Sequence, residues 1–122
     1  ALAGMAHMFH DIQSWDQAKP YYERAVAIAP DDPDLITDWG VCFVGTGDFE
    51  RALELFERAQ TSRPGHPQSL FNTAIVAGLY QEDFARAEAA IARLEEVAPG
   101  FERLAQLKSD IEAAKSGAPA GS

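Results

Sequence analysis

Four groups of residues in this 122-residue sequence have types and spacings that invite chemistry. His7 and His10, three apart and followed by Asp11, could supply half of a metal site. Zinc and its neighbours need three or four converging ligands, so the pair reads instead as surface or groove histidines. Cys42 is the single cysteine, which excludes an internal disulfide and a cysteine-rich zinc site. It has no activating His or Lys beside it in sequence, and an unactivated thiol packs as a small hydrophobe. Asp31, Asp32, Asp34 and Asp38 form an acidic run that could attract calcium, but their spacing is not that of an EF-hand loop. The first three read as helix-start residues favoured by the helix dipole. Trp15, Trp39, Phe49 and Phe56 could stack on nucleic-acid bases, yet 10 Lys and Arg against 19 Asp and Glu leave a net charge of −9, which repels phosphate and anionic headgroups. Nucleophile, base and oxyanion donors do not occur together in any recognisable constellation, so the expectation is a non-enzyme without metal or cofactor.

The elements that must position these residues come from a composition with 47% hydrophobic and 24% charged residues, ordinary for a globular protein. A chain of this length suits a single domain and excludes wholesale disorder. No apolar run approaches the ~20 residues of a membrane span, and the N-terminus lacks the build of a signal peptide, so the segment is expected to be soluble and not to insert in a membrane. It begins at Ala1, so an upstream anchor is compatible with the sequence; a cytoplasmic and a periplasmic location both fit.

One pattern recurs along the chain. Ala18 and Ala52, Tyr22 and Phe56, Ala25 and Ala59, and Pro30 and Pro64 are each 34 positions apart. A third copy, through Asp83, Phe84, Ala87, Ile91 and Leu94 to Pro99, follows at a spacing of 35, which places one inserted residue in the turn near Gln81. A fixed period of this length is the signature of a stacked repeat.

Each copy reads as two helices. In the second, Asp32 caps a helix whose first position is Pro33, and Ile36, Trp39, Gly40 and Phe43 form its apolar stripe. Gly47 ends that helix in the left-handed conformation and Asp48 caps the next, where Phe49, Ala52, Leu53, Phe56 and Ala59 face inward and Glu54 pairs with Arg58. In the first copy Leu2, Met5, Ala6 and Phe9 form the leading stripe, and Ser14 and Gln17 are spaced as a capping box. The third copy has small residues at Ala74 and Ala77 of its first helix, which predicts looser packing. A last helix is expected over 101–115, with Leu104, Leu107 and Ile111 inward, and residues 116–122 are too poor in apolar groups to order themselves.

The period, with Ile36, Trp39, Gly40, Phe43, Gly47, Phe49, Ala52, Phe56, Ala59 and Pro64 in the second copy, resembles the tetratricopeptide repeat. The likeness covers residues 1–99, divided as repeats at about 1–32, 33–66 and 67–100, with 101–115 similar to the helix that caps such arrays. It implies one all-α domain over 1–115, a right-handed superhelix of about seven helices in antiparallel pairs, whose first helices line a concave groove. It also implies a protein-binding module.

Carried onto this sequence, the family's groove positions are His7 and His10 in the first repeat, Thr37, Asp38, Val41 and Val44 in the second, and Gln68, Phe71, Asn72 and Ile75 in the third. Some members grip a C-terminal carboxylate with Lys, Arg and Asn; here Gly4, Asp38 and Asn72 stand in those places, which leaves only Asn72. The resemblance therefore implies an apolar strip of Val41, Val44, Phe71 and Ile75 that suits a peptide or partner helix with an apolar anchor, in a scaffold or assembly factor. The alternative is a structural role, with homo-oligomers formed through helix faces or the groove. The sequence also resembles repeat domains that bacterial proteins carry behind a membrane anchor, and its Ala-rich, Arg-over-Lys composition fits a bacterial source.

Overall fold

The computed structural model describes residues 14–117. They contain helices and connecting turns, with no strand among them. They fall into two compact units, one ending at His66 and the other starting at Pro67. The predicted leading helix, with Leu2, Met5, Ala6 and Phe9, lies outside the described residues.

The first unit holds α1 (Trp15–Ile28), α2 (Pro33–Gly45) and α3 (Phe49–Ser62), with α2 packed against both others. The connections are short, which folds successive helices back on each other. The Asp32 carboxylate accepts from the N–H groups of Asp34 and Leu35 at the start of α2, with Pro33 at the first position where a missing N–H costs nothing. Gly47, at φ +83°, turns the chain in the left-handed region, and the Asp48 N–H closes on the Phe43 carbonyl at 2.8 Å. Asp48 then caps α3 by accepting from the Arg51 N–H. Ser14 begins α1 without a side-chain cap bond, so the expected capping box is not formed there.

Tyr22, Ile36, Trp39, Cys42, Leu55 and Ala59 meet in the core of this unit. Full burial of a side chain of this size is worth about 1.5–3 kcal/mol. Gly40 lets α3 come close: a Cβ there would lie 2.6 Å from Phe56 Cε1. Leu55, outside the stripe read from sequence, is 2% exposed. Glu54 pairs with Arg51 at 3.1 Å rather than with Arg58, because Arg58 reaches across to donate to the Pro30 carbonyl. That bond and Ser62 Oγ to the Asp31 carbonyl tie the α1–α2 connection to the end of α3, and His66 Nε2 to Asp34 Oδ1 at 2.7 Å ties the turn after α3 to the start of α2.

In the second unit, α4 (Pro67–Ile75) runs on into a π-helical turn (Val76–Tyr80), followed by α5 (Phe84–Val97) and α6 (Leu104–Lys115). This corrects the placement of the inserted residue. The extra residue is taken up inside the helix, where a π turn accommodates one more residue per turn, rather than in the loop at Gln81. Its exit repeats the earlier turn, with the Asp83 N–H on the Ala77 carbonyl at 2.7 Å, but Glu82 occupies the left-handed position at φ 57°.

The small residues of this helix do not loosen the packing, as the sequence suggested. Ala74 and Ala77 are fully buried, and Gly78 admits the end of the Ile111 side chain into contact where a Cβ would collide with it. The last helix starts at Leu104 rather than at 101, since Arg103 at φ 72° breaks the helical path ahead of it. Leu104, Leu107 and Ile111 of α6 are buried as expected. Ion pairs of Lys108 with Glu95 and of Lys115 with Glu88, both 3.1 Å, hold α6 against α5.

Candidate functional site

In the first unit the relevant surface is α2. Asp38, Val41 and Val44 recur at i, i+3 and i+6, which puts them on one side of the helix, and all three are half-buried. Among the described residues, Val41 and Val44 are absent from the apolar side chains packed into this unit's core, although the neighbouring Trp39, Cys42 and Phe43 belong to it. Thr37 differs from its expected groove-lining role: it is 2% exposed, and its hydroxyl has no hydrogen-bond partner among the described residues.

Beside that face, burial pushes the Cys42 thiol up to about 12, with the negative charge of Asp38 adding to the effect and Lys19 opposing it. Such a thiol stays protonated and is a poor nucleophile. Phe43 lies between two cations, with Lys19 Nζ 4.5 Å and the Arg51 guanidinium 5.9 Å from its ring centre. Lys19 also donates to Thr46 Oγ1 at 2.7 Å, fastening α1 to the end of α2.

In the second unit Asn72 and Ile75 are half-buried on α4. Gln68 is exposed nearer the start of that helix. Phe71 is the second correction to the expected strip. It is 8% exposed, with the Phe101 ring 5.2 Å away and the Arg103 guanidinium 4.9 Å over its face, so the approach to α6 covers it. A left-handed residue other than glycine costs about 1–2 kcal/mol, a penalty Arg103 carries while its side chain lies on that ring.

Between α4 and α6 a pocket of about 140 Å³ remains, lined by Phe71, Ile75 and Leu79 from one side and Arg103, Gln106, Leu107 and Asp110 from the other. Gln106 donates to Asp110 at 2.8 Å. Apart from Phe71, Ile75 and Leu107, none of these residues stood out in sequence. The nearest signal was the amphipathic pattern of α6, which marks Leu107 as inward but cannot say what it faces.

His7 and His10 lie outside the described residues. Among the described residues no group of three or more His, Cys, Asp or Glu side chains is placed to hold a metal ion, and no helix is long and apolar enough to cross a membrane. Asp32 caps the start of α2, Asp34 in its first turn contacts His66, and Asp31 offers its carbonyl to Ser62 Oγ.

Helix pairs joined by short capped turns, built on a 34-residue pattern, define the class: this is a tetratricopeptide-repeat fold. The sequence matches the family described as "Cilia and flagella-associated protein 70 middle TPR-like domain" over residues 2–112, and the chain belongs to it. Among solved structures it is similar to the type III secretion translocator chaperone SycD of Yersinia enterocolitica, with 19% identity and a TM-score of 0.84 over 95% of this chain and 82% of that one. It is also similar to PcrH, solved in complex with the chaperone-binding region of PopD, with 18% identity and a TM-score of 0.82 over 95% and 90% of the two chains. The Sgt2 TPR domain from Aspergillus fumigatus gives 20% identity and a TM-score of 0.82 over 99% and 83%. No curated protein matches the sequence.

Proposed function

We propose that the chain is a non-catalytic protein-interaction module that holds a peptide or partner helix against the first helices of its repeats, and acts as a scaffold or assembly factor. The observation that carries this reading is the pair Val41 and Val44, apolar, half-buried and, among the described residues, outside the core they adjoin. Apolar groups left at such positions gain free energy when a partner removes them from water. The PcrH structure, in which the same fold is in complex with a region of PopD, supports the reading. The contacts proposed are Asp38, Val41 and Val44 on α2 and Asn72 and Ile75 on α4, together with His7 and His10 of the first repeat. Thr37 and Phe71 act as supports. The repeats divide at 1–32, 33–66 and 67–100, with the segment 101–115 after the third.

The test is Val41→Glu. A carboxylate desolvated against an apolar ligand costs several kcal/mol, so the variant should lose the partner that the unaltered protein captures in a pull-down read by mass spectrometry. Helical circular dichroism should be unchanged, because Val41 is half-buried and stands outside the core cluster among the described residues. Capture should also persist in about 0.3 M salt, which screens exposed charge pairs but not apolar contacts. Full binding by Val41→Glu, or release by salt alone, would favour the alternative of self-association through outer helix faces, where Ile28 is 75% exposed.

A further inference from the structure

The pocket between α4 and α6 has a polarity that specifies more than an apolar ligand. Its floor is aliphatic and aromatic, formed by Phe71, Ile75, Leu79 and Leu107. An α-helix drifts round its axis along positions i, i+4 and i+8; the extra residue of the π turn sets that drift back, so Leu79 lines the same pocket as Phe71. The volume of about 140 Å³ suits one branched aliphatic side chain, since a buried apolar hole of about 150 Å³ takes up a benzene-sized group.

The walls carry opposite charges at their two ends. Arg103 precedes α6, and Asp110 follows seven residues later, about 10 Å along the helix axis at 1.5 Å per residue. In a chain with 19 acidic against 10 basic residues, the Arg103 guanidinium nevertheless makes no ion pair among the described residues; its contact is the Phe71 ring. Asp110 accepts one bond, from Gln106, which leaves further acceptor capacity on its carboxylate.

We infer that this pocket takes an amphipathic helix whose aliphatic anchor lies between a carboxylate and an ammonium or guanidinium group seven residues apart. Two turns of the incoming helix match the backbone rise from Arg103 to Asp110. The anchor fills the floor at mid-span, the ligand's carboxylate pairs with Arg103, and its cation pairs with Asp110. This deepens the reading of the chain as a protein-interaction module and rests on it.

The experiment uses three labelled, alanine-rich helical peptides and fluorescence anisotropy in about 0.15 M salt. One carries Glu, Leu and Lys at positions i, i+4 and i+7; the second has Lys in place of Glu; the third has Asn in place of Leu. The net charge of −9 by itself favours the second peptide. The pocket favours the first, by about fivefold for one exposed charge pair gained and one repulsion avoided. Arg103→Glu should reverse that order, Arg103→Gln should bring the two within about twofold, and the Asn peptide should not bind. Both variants should retain the helical spectrum of the unaltered protein, with a small and similar drop in unfolding midpoint, since each loses the contact with the Phe71 ring. A preference of the unaltered protein for the second peptide, an order that Arg103→Glu leaves in place, or no binding of either would overturn the assignment. If Val41→Glu abolishes binding of these peptides while Arg103→Glu leaves their order unchanged, the pocket assignment fails and the interaction reading stands. If neither peptide binds and Val41→Glu captures its partner undiminished, both fail.

Discussion

Gly40 and Phe56 offer a direct probe of how closely α2 and α3 approach. A Cβ added at Gly40 would lie 2.6 Å from Phe56 Cε1 and 3.0 Å from Cδ1, and Phe56 is fully buried, so its ring has little room to move away. Overpacking of this kind costs about 1–3 kcal/mol. Against it stands the helix propensity of alanine over glycine, about 1 kcal/mol in an interior turn. Gly40→Ala should therefore be destabilising by about 0–2 kcal/mol on its own. Phe56→Leu removes the ring edge that the new methyl would meet. In that background Gly40→Ala should be stabilising by up to about 1 kcal/mol, giving a coupling of about 1–3 kcal/mol across the double-mutant cycle. Both tryptophans, Trp15 and Trp39, lie in the first unit, so urea unfolding followed by tryptophan fluorescence reports on the unit that contains the pair. Equal effects of Gly40→Ala in the two backgrounds, within about 0.5 kcal/mol, would refute a close approach of the helices at this point.

Asp48→Ala should lose about 1 kcal/mol, since the Asp48 side chain accepts from the Arg51 N–H at the start of α3, while Asp48→Asn should keep most of it; urea unfolding measures both. With its thiol pushed up to about 12, Cys42 should resist a disulfide reagent at pH 8 in the folded protein and react once the chain is unfolded in urea. The unfolded chain ionises this group near 9.0 while the folded one keeps its proton, so stability should fall as pH rises from about 9 toward 12; Cys42→Ala, which has no such group, should show a shallower decline.

The features legible in the sequence are those governed by groups near one another along the chain. Asp32, Asp48 and Asp83 all cap the helices they precede, because a carboxylate finds the N–H groups two or three residues ahead whatever else the protein does. Gly47 takes the left-handed turn for the same local reason, and the apolar spacing of Ile36, Trp39 and Phe56 marks them as interior through helical geometry alone. Where two partners competed, the local rule failed. Arg58 leaves Glu54 for the Pro30 carbonyl, a choice that exists only once α3 lies beside the α1–α2 connection. Burial of Leu55 and His66, and the cover placed over Phe71, depend likewise on which element arrives from elsewhere in the chain. The inserted residue was visible as a change of spacing from 34 to 35, but its place was not. A loop and a helix can each absorb one residue, and packing against α5 and α6 decided for a π turn at Val76–Tyr80. The same is true of the pocket: Arg103, Leu79 and Asp110 are unremarkable apart, and only the docking of α6 on α4 turns them into a charged frame around an apolar floor.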